Sequence, residues 1–375
     1  MTATHLIEPW TRSSTEGRWC GLGPYYAMFP VQFARRVVSR FCPAGGHVLD
    51  PFCGRGTAPF VASITGRSAL GTDVNPVAWL YSTVKLNPCP NPELIRARVR
   101  DLIKSVRGRD CVPQNEFQEW AWHAEVLGFL RRARKELNWL GNRADRTLMA
   151  TILVHLHAKR GEGLSNQLRQ SKSMSPDYAV RWWKNRRLRP PEIDLEHFFE
   201  AKLRWRYAKG VPDIHPQSQV RLGDARRVLP QLTAPKADLL LTSPPYWGVT
   251  NYEYDNWIRL WMLGGPALPS HKTAARYRDQ ERYATLLANT FEKAKSHCKR
   301  RAVIYVRTDA REFTNRTTIS VLSETWPDHR LYHKTDMAKG GTQTGLFQSD
   351  WHKAGEVDLL LLPPRLHAPK GFIRI

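Results

Sequence analysis

Short apolar runs, each closed by turn or charged residues, recur along the chain. His47–Asp50 (HVLD) reads as a buried strand, and Pro51–Thr57 (PFCGRGT) follows as a loop rich in small residues. Ala58–Thr65 has helical character, and Ser68–Val74 (SALGTDV) is a second strand that ends in Asp73. Continuous apolar runs of this length, bounded by turn signals, mark strands buried on both faces. The strand–helix–strand order predicts a βαβ unit at the start of an open α/β sheet.

The next clear strand is Gln219–Gly223 (QVRLG). The gap, about Lys85 to His215, is too long for a connecting loop and predicts an insertion. Within it, Trp120–Leu140, Asp145–His157 and Glu196–Lys209 have helical patterns, and Pro190-Pro191 marks a break. Strands and helices then alternate again. Ala237–Leu241 and Ala302–Arg307 read as strands, Arg282–Ser296 and Thr317–Glu324 as helices, and Arg330–Lys334 with Val357–Leu362 as a closing strand pair. The predicted organisation is a core in two parts, residues 1–90 and 216–375, around a mainly helical insertion at 91–215. There is no internal repeat.

Charge changes this picture. The 375 residues carry 57 Lys and Arg against 34 Asp and Glu, a net charge of +23, which points to a polyanionic partner such as nucleic acid. The insertion holds 25 basic and 15 acidic residues, and Lys159–Pro190 alone has nine basic and two acidic. With 42% hydrophobic residues the chain can build a large core. Its longest apolar runs are strand-length, far short of the roughly 20 residues that span a bilayer. Met1–Trp10 lacks the pattern of a secretory signal. Six cysteines at 20, 42, 53, 89, 111 and 298 form no Cys-x-x-Cys pair, so reduced thiols in a cytoplasmic protein are expected, without a metal site.

In an open parallel sheet, ligands bind beyond the carboxyl ends of the strands. Asp50, Gly54, Gly56 and Asp73 are placed there. The two glycines let backbone approach a ligand closely, and an acidic residue closing the second strand suits a ribose with free hydroxyls. No G-x-G-x-x-G or Walker motif is present, which counts against a dinucleotide or ATP. A second element, Thr242–Trp247 (TSPPYW), directly follows the strand ADLLL. Its two prolines stiffen the loop, and Tyr246 and Trp247 supply π faces.

Together these segments resemble the DNA amino-methyltransferases, which methylate the exocyclic amines of cytosine (N4) or adenine (N6) with S-adenosylmethionine. DPFCGRGT looks like the family's cofactor loop, TSPPYW like its S/D/N-P-P-Y/F catalytic loop, and Gly23–Arg36 like its N-terminal cofactor segment. The resemblance implies a Rossmann-like methyltransferase sheet with helices on both faces. It implies a cofactor site from Tyr25, Asp50, Pro51, Phe52, Gly54, Gly56, Thr57, Asp73, Asn75, Asp224 and Ala225. Phe52, Gly54 and Gly56 would surround the methionine part, Asp73 the ribose, and Asp224 with Ala225 the adenine. Ser243, Pro244, Pro245 and Tyr246 would form the catalytic pocket. The order of loops resembles the class in which a target-recognition region separates them. The insertion falls between the second and third strands, earlier than in that class, which leaves open a helical clamp instead, with bases also read by loops after Trp247.

An exocyclic amine is a poor nucleophile because its lone pair conjugates with the ring. Hydrogen bonds from the amine to Ser243 Oγ and to the Pro244 carbonyl would favour an sp3-like nitrogen in line with the methyl group. Tyr246 would stack on a flipped base. Ser at the first motif position tilts the reading toward cytosine-N4, with adenine-N6, an RNA acceptor and an inactive nucleic-acid-binding core as alternatives. Pro88-Cys89, which a carbon-5 mechanism would need, reads as part of a loop. The expected partner is double-stranded DNA, with a cognate restriction endonuclease, in a bacterial or phage cytoplasm at the nucleoid. Trp247, Arg181, Lys184, Arg186 and Arg187 are the candidate nucleic-acid contacts. In Ser173–Pro190, Tyr178, Trp182 and Trp183 either stack on bases or pack inward behind a solvated basic face. His155 and His157 diverge on a helix and suggest no metal site, and Thr335–Gly345 reads as a loop on the catalytic side.

Overall fold

The computed structural model describes residues 10–11, 13–23, 30–159, 161–168, 173–248, 251–269, 279–336 and 355–375. Its centre is a mixed eight-stranded sheet flanked by helices. The strands are β1 (His47–Asp50), β2 (Ser68–Asp73), β3 (Gln219–Leu222), β4 (Ala237–Thr242), β5 (Cys298–Asp309), β6 (Arg330–Asp336), β7 (Glu356–Leu362) and β8 (Ile373–Arg374). They lie in the order β3-β2-β1-β4-β5-β7-β6-β8. The first five run parallel; β7 is antiparallel to β5 and β6, and β8 is antiparallel to β6.

Strand residues alternate between two cores. Leu49, Leu70, Leu240, Ile304 and Leu361 pack on one face with Tyr283 and Phe291 of the helix Gln280–Lys295. Val48, Ala69, Leu239, Val303 and Leu360 pack on the other with Phe33 and Val37 of the helix Val31–Phe41. Burial on both faces is why these strands are apolar throughout.

The stretch between β2 and β3 is helical, and its apolar residues continue one core with Val77, Leu80 and Tyr81 of the helix Pro76–Leu86 and with Trp257 and Trp261. Two helices here have no counterpart in the sequence reading, Pro76–Leu86 and Pro92–Ser105. Both begin with Asn-Pro. Asn75 and Asn91 accept a hydrogen bond from the backbone N–H two residues on, and proline occupies the first helical position. The expected helix Trp120–Leu140 is instead two, Glu116–Ala121 and Ala124–Glu136. Trp122 turns extended between them, which lets its indole stack on Trp261 at 5.1 Å.

Among the described residues no helix is long and apolar enough to cross a membrane, and no group of three or more His, Cys, Asp or Glu could hold a metal.

Candidate active site

The chain leaves β1 toward β2 on one side, while β4 lies on the other. The crevice outside the carboxyl ends of β1 and β4 is therefore a topological switch point, where open α/β sheets bind ligands. Asp50 ends β1 there, and Thr242 ends β4. Thr242 Oγ1 donates to Asp50 Oδ1 at 2.6 Å, and Phe52 N donates to the same oxygen at 3.2 Å. One buried bond thus ties the start of the 51–57 loop to the residue before Ser243. Burial pushes the Asp50 carboxyl up to about 7, against the restraint of the Thr242 hydrogen bond.

The 51–57 loop is fixed from below by β2. Thr72 Oγ1 donates to the Pro51 carbonyl at 2.8 Å, and Cys53 N to the Thr72 carbonyl at 3.0 Å. Gly54 and Gly56 adopt φ +51° and +77°. A Cβ on Gly56 would lie 2.5 Å from Ser82 Cβ, so this position needs glycine for both conformation and space. Thr57 then opens the helix Thr57–Ile64. Phe52 meets Phe291 edge-to-face at 6.2 Å.

Asp73 closes β2 beside this loop. Gly54 N donates to one carboxylate oxygen and Asn75 N to the other, each at 2.8 Å. Burial raises this carboxyl to about 6, while the two N–H donors hold it down. Each oxygen keeps a further lone pair for a ligand hydroxyl. Val74 and Leu222 are exposed apolar neighbours of Asp73, the latter directly opposite it in β3. Gly223 N donates to the Asp73 carbonyl at 2.8 Å, which brings Asp224 and buried Ala225 to the same edge. Arg226 forks onto the Asp224 carboxylate, Nη2 donating to Oδ2 at 2.5 Å and Nε to Oδ1 at 3.0 Å, which keeps that carboxyl below the usual range.

Ser243, Pro244, Pro245 and Tyr246 leave β4 as a loop without helix or strand. Ser243 Oγ is 3.4 Å from the Tyr246 hydroxyl. Tyr246 is buried, and burial together with the nearby Glu356 carboxylate raises its phenol. Trp247 is half-buried and packs edge-to-face on Phe313 at 5.1 Å. Beside Tyr246 lies a charge cluster that the sequence reading did not single out. Arg307 on β5 forks onto Asp358, directly opposite on β7, at 2.7 and 2.9 Å, reaches Glu356 at 3.0 Å, and lies over the Phe33 ring at 3.6 Å. The available signal was an Arg and an Asp embedded in apolar strand runs, AVIYVR and EVDLLLL.

Three loops thus converge on one edge of the sheet. Residues 4–81 match the family described as DNA methylase. That match supports an S-adenosylmethionine-dependent methyltransferase. No curated protein matches the chain. Among solved structures, it is similar to the rRNA methyltransferase aviRa from Streptomyces viridochromogenes, with 16% identity, 96% of each chain covered and a TM-score of 0.35. It is also similar to TrmN from Thermus thermophilus, with 12% identity, 95% of this chain and 55% of that one covered, and a TM-score of 0.35. A TehB-like SAM-dependent methyltransferase from Corynebacterium glutamicum gives 8% identity, 88% and 86% coverage and a TM-score of 0.33.

Of the expected nucleic-acid contacts, Trp247 lies at this edge and the four basic residues lie elsewhere. Arg181, Lys184, Arg186 and Arg187 are exposed on or just beyond the helix Pro176–Asn185. Trp183 is fully buried and donates its indole N–H to the Gln167 carbonyl at 2.8 Å, so it packs inward and cannot wedge between bases. Lys184 pairs with Glu116. The segment joins the catalytic side through the chain that follows Trp247. Ser173 N donates to the Asp255 carbonyl at 2.8 Å, and Trp257 Nε1 to the Met174 carbonyl at 3.0 Å. Tyr25 lies outside the described residues, as does most of 335–345.

Proposed function

We propose that this chain is an S-adenosylmethionine-dependent DNA methyltransferase that modifies the exocyclic N4 amine of a flipped cytosine. The observation that carries the reading is the Asp50–Thr242 hydrogen bond, which holds the DPFCGRGT loop against the TSPPYW loop at the switch point of the sheet. The residues present fit the cofactor. Asp73 offers spare acceptor capacity for a ribose diol, exposed Val74 and Leu222 offer apolar surface to a flat ring, and Gly56 sits where no side chain can. Bound there, the sulfonium supplies an electrophilic methyl group and a neutral leaving group.

The chain's own task is to place an amine. Ser243 Oγ and the Pro244 carbonyl accept its two hydrogens, so its lone pair is drawn out of conjugation toward the methyl. Tyr246 provides the stacking surface, worth roughly 1–3 kcal/mol per base, against the few kcal/mol that extrusion from a duplex costs. Tyr246 is buried as the structure stands, so base entry moves its ring or the residues over it. Ser243 in place of Asp favours cytosine over adenine. The charge of +23 favours a polynucleotide acceptor. An endonuclease acting on the same sequence would complete a restriction–modification pair, and the nucleoid is the place for such activity. The test is equilibrium binding of S-adenosylmethionine, followed by transfer of its labelled methyl group to duplex DNA in competition with RNA. Label in the duplex supports the reading; cofactor binding with label only in RNA overturns the acceptor.

A further inference from the structure

We propose that the end of the helix Pro176–Asn185 is a phosphate grip that holds the duplex DNA backbone without reading its sequence. This rests on the polynucleotide acceptor proposed above. Three observations carry it. Arg181, Arg186, Arg187 and Arg189 are exposed within nine residues and form no ion pair among the described residues. Arg186 stacks on Trp182 at 4.4 Å and Arg189 on Trp120 at 4.3 Å. Stacking fixes the guanidinium planes and leaves their N–H edges for a phosphate, while covering the half-buried rings that a base would otherwise meet. The third observation is Arg187, the only non-glycine among the described residues with positive φ, at +52°.

Arg187 occupies the stop of its helix. Its N–H donates to the Lys184 carbonyl and that of Leu188 to the Trp183 carbonyl, each at 3.0 Å. Glycine is the ordinary residue at such a stop, since any side chain there pays for the left-handed backbone. A charged residue kept in a strained conformation at an exposed tip points to a contact outside the fold. Contacts to phosphate carry no sequence information directly, so the grip sets affinity and register.

Arg187→Gly separates this role from a structural one, because it relieves the backbone while removing the charge. The experiment measures thermal unfolding, and affinity for two duplexes of different sequence from 50 to 200 mM salt. The variant is expected to unfold at the same or a higher temperature and to bind both duplexes more weakly by the same factor. The slope of log affinity against log salt should become shallower by about 0.9, so that raising the salt costs it about 3.5-fold less affinity than the wild type. R181Q/R186Q should make the slope shallower by about twice that amount. Wild-type slopes in both variants overturn the grip alone, and a changed ratio between the two duplexes shows that the tip reads bases. A wild-type protein that binds S-adenosylmethionine but RNA in place of duplex DNA overturns the occupant and the acceptor reading together.

Discussion

Asp50→Asn isolates the electrostatic cost of the buried carboxyl at the end of β1. The substitution keeps an oxygen for Thr242 Oγ1 and Phe52 N while removing the charge. Burial holds this carboxyl near 7 against an ordinary 3.8. The native state therefore retains a proton that the unfolded chain releases, and stability falls as pH rises from about 4 to about 7. At 1.36 kcal/mol per pKa unit, the full fall attributable to Asp50 is roughly 4 kcal/mol at most. Asp73, raised to about 6, adds a fall of the same sign that ends at lower pH. Urea unfolding at pH 4, 5.5, 7 and 8 measures both. The Asn variant should gain on the wild type as pH rises through this window, reach its full advantage above pH 7, and keep only the part of the fall due to Asp73. A difference between variant and wild type that stays constant from pH 4 to 8 would refute the reasoning.

Other substitutions test separate parts of the site. Tyr246→Ala should cut turnover while leaving cofactor affinity near normal, whereas Asp73→Ala should weaken the cofactor first; equal loss of affinity in both, by calorimetry, contradicts that division. Thr242→Val removes the restraint on Asp50, so the pH window of instability should extend above 7, with Thr242→Ser restoring the wild-type profile. Gly56→Ala forces both a left-handed backbone and a clash with Ser82, and should cost about 1–3 kcal/mol or more in chemical unfolding. Arg307→Leu leaves the buried Asp358 without its partner and should cost about 3–5 kcal/mol, again by chemical unfolding.

Much of the fold was legible because strands buried on both faces leave continuous apolar runs, as at 47–50, 68–73, 237–242 and 356–362. Apolar runs also lie between β2 and β3, as at 126–130, but they sit inside longer patterns with charged residues at helical spacing, and the structure makes them helices. The helices at Pro76–Leu86 and Pro92–Ser105 were missed although their Asn-Pro starts were in plain view, because proline reads first as a break. The split at Trp122 left no local signal; it follows from the stacking of that indole on Trp261, 139 residues away. At the site, the loops carrying Gly54, Asp73 and Ser243 stand out through residue types that backbone geometry demands. The Asp50–Thr242 bond and the Arg307–Asp358 pair depend on which strands are neighbours, and only the sheet order shows that.

The most direct measurement of the central claim is nucleoside mass spectrometry of unmethylated duplex DNA incubated with the purified protein and labelled S-adenosylmethionine. N4-methylcytosine carrying the label is the predicted product. Protein that binds the cofactor yet leaves every base of the duplex unmodified would contradict it.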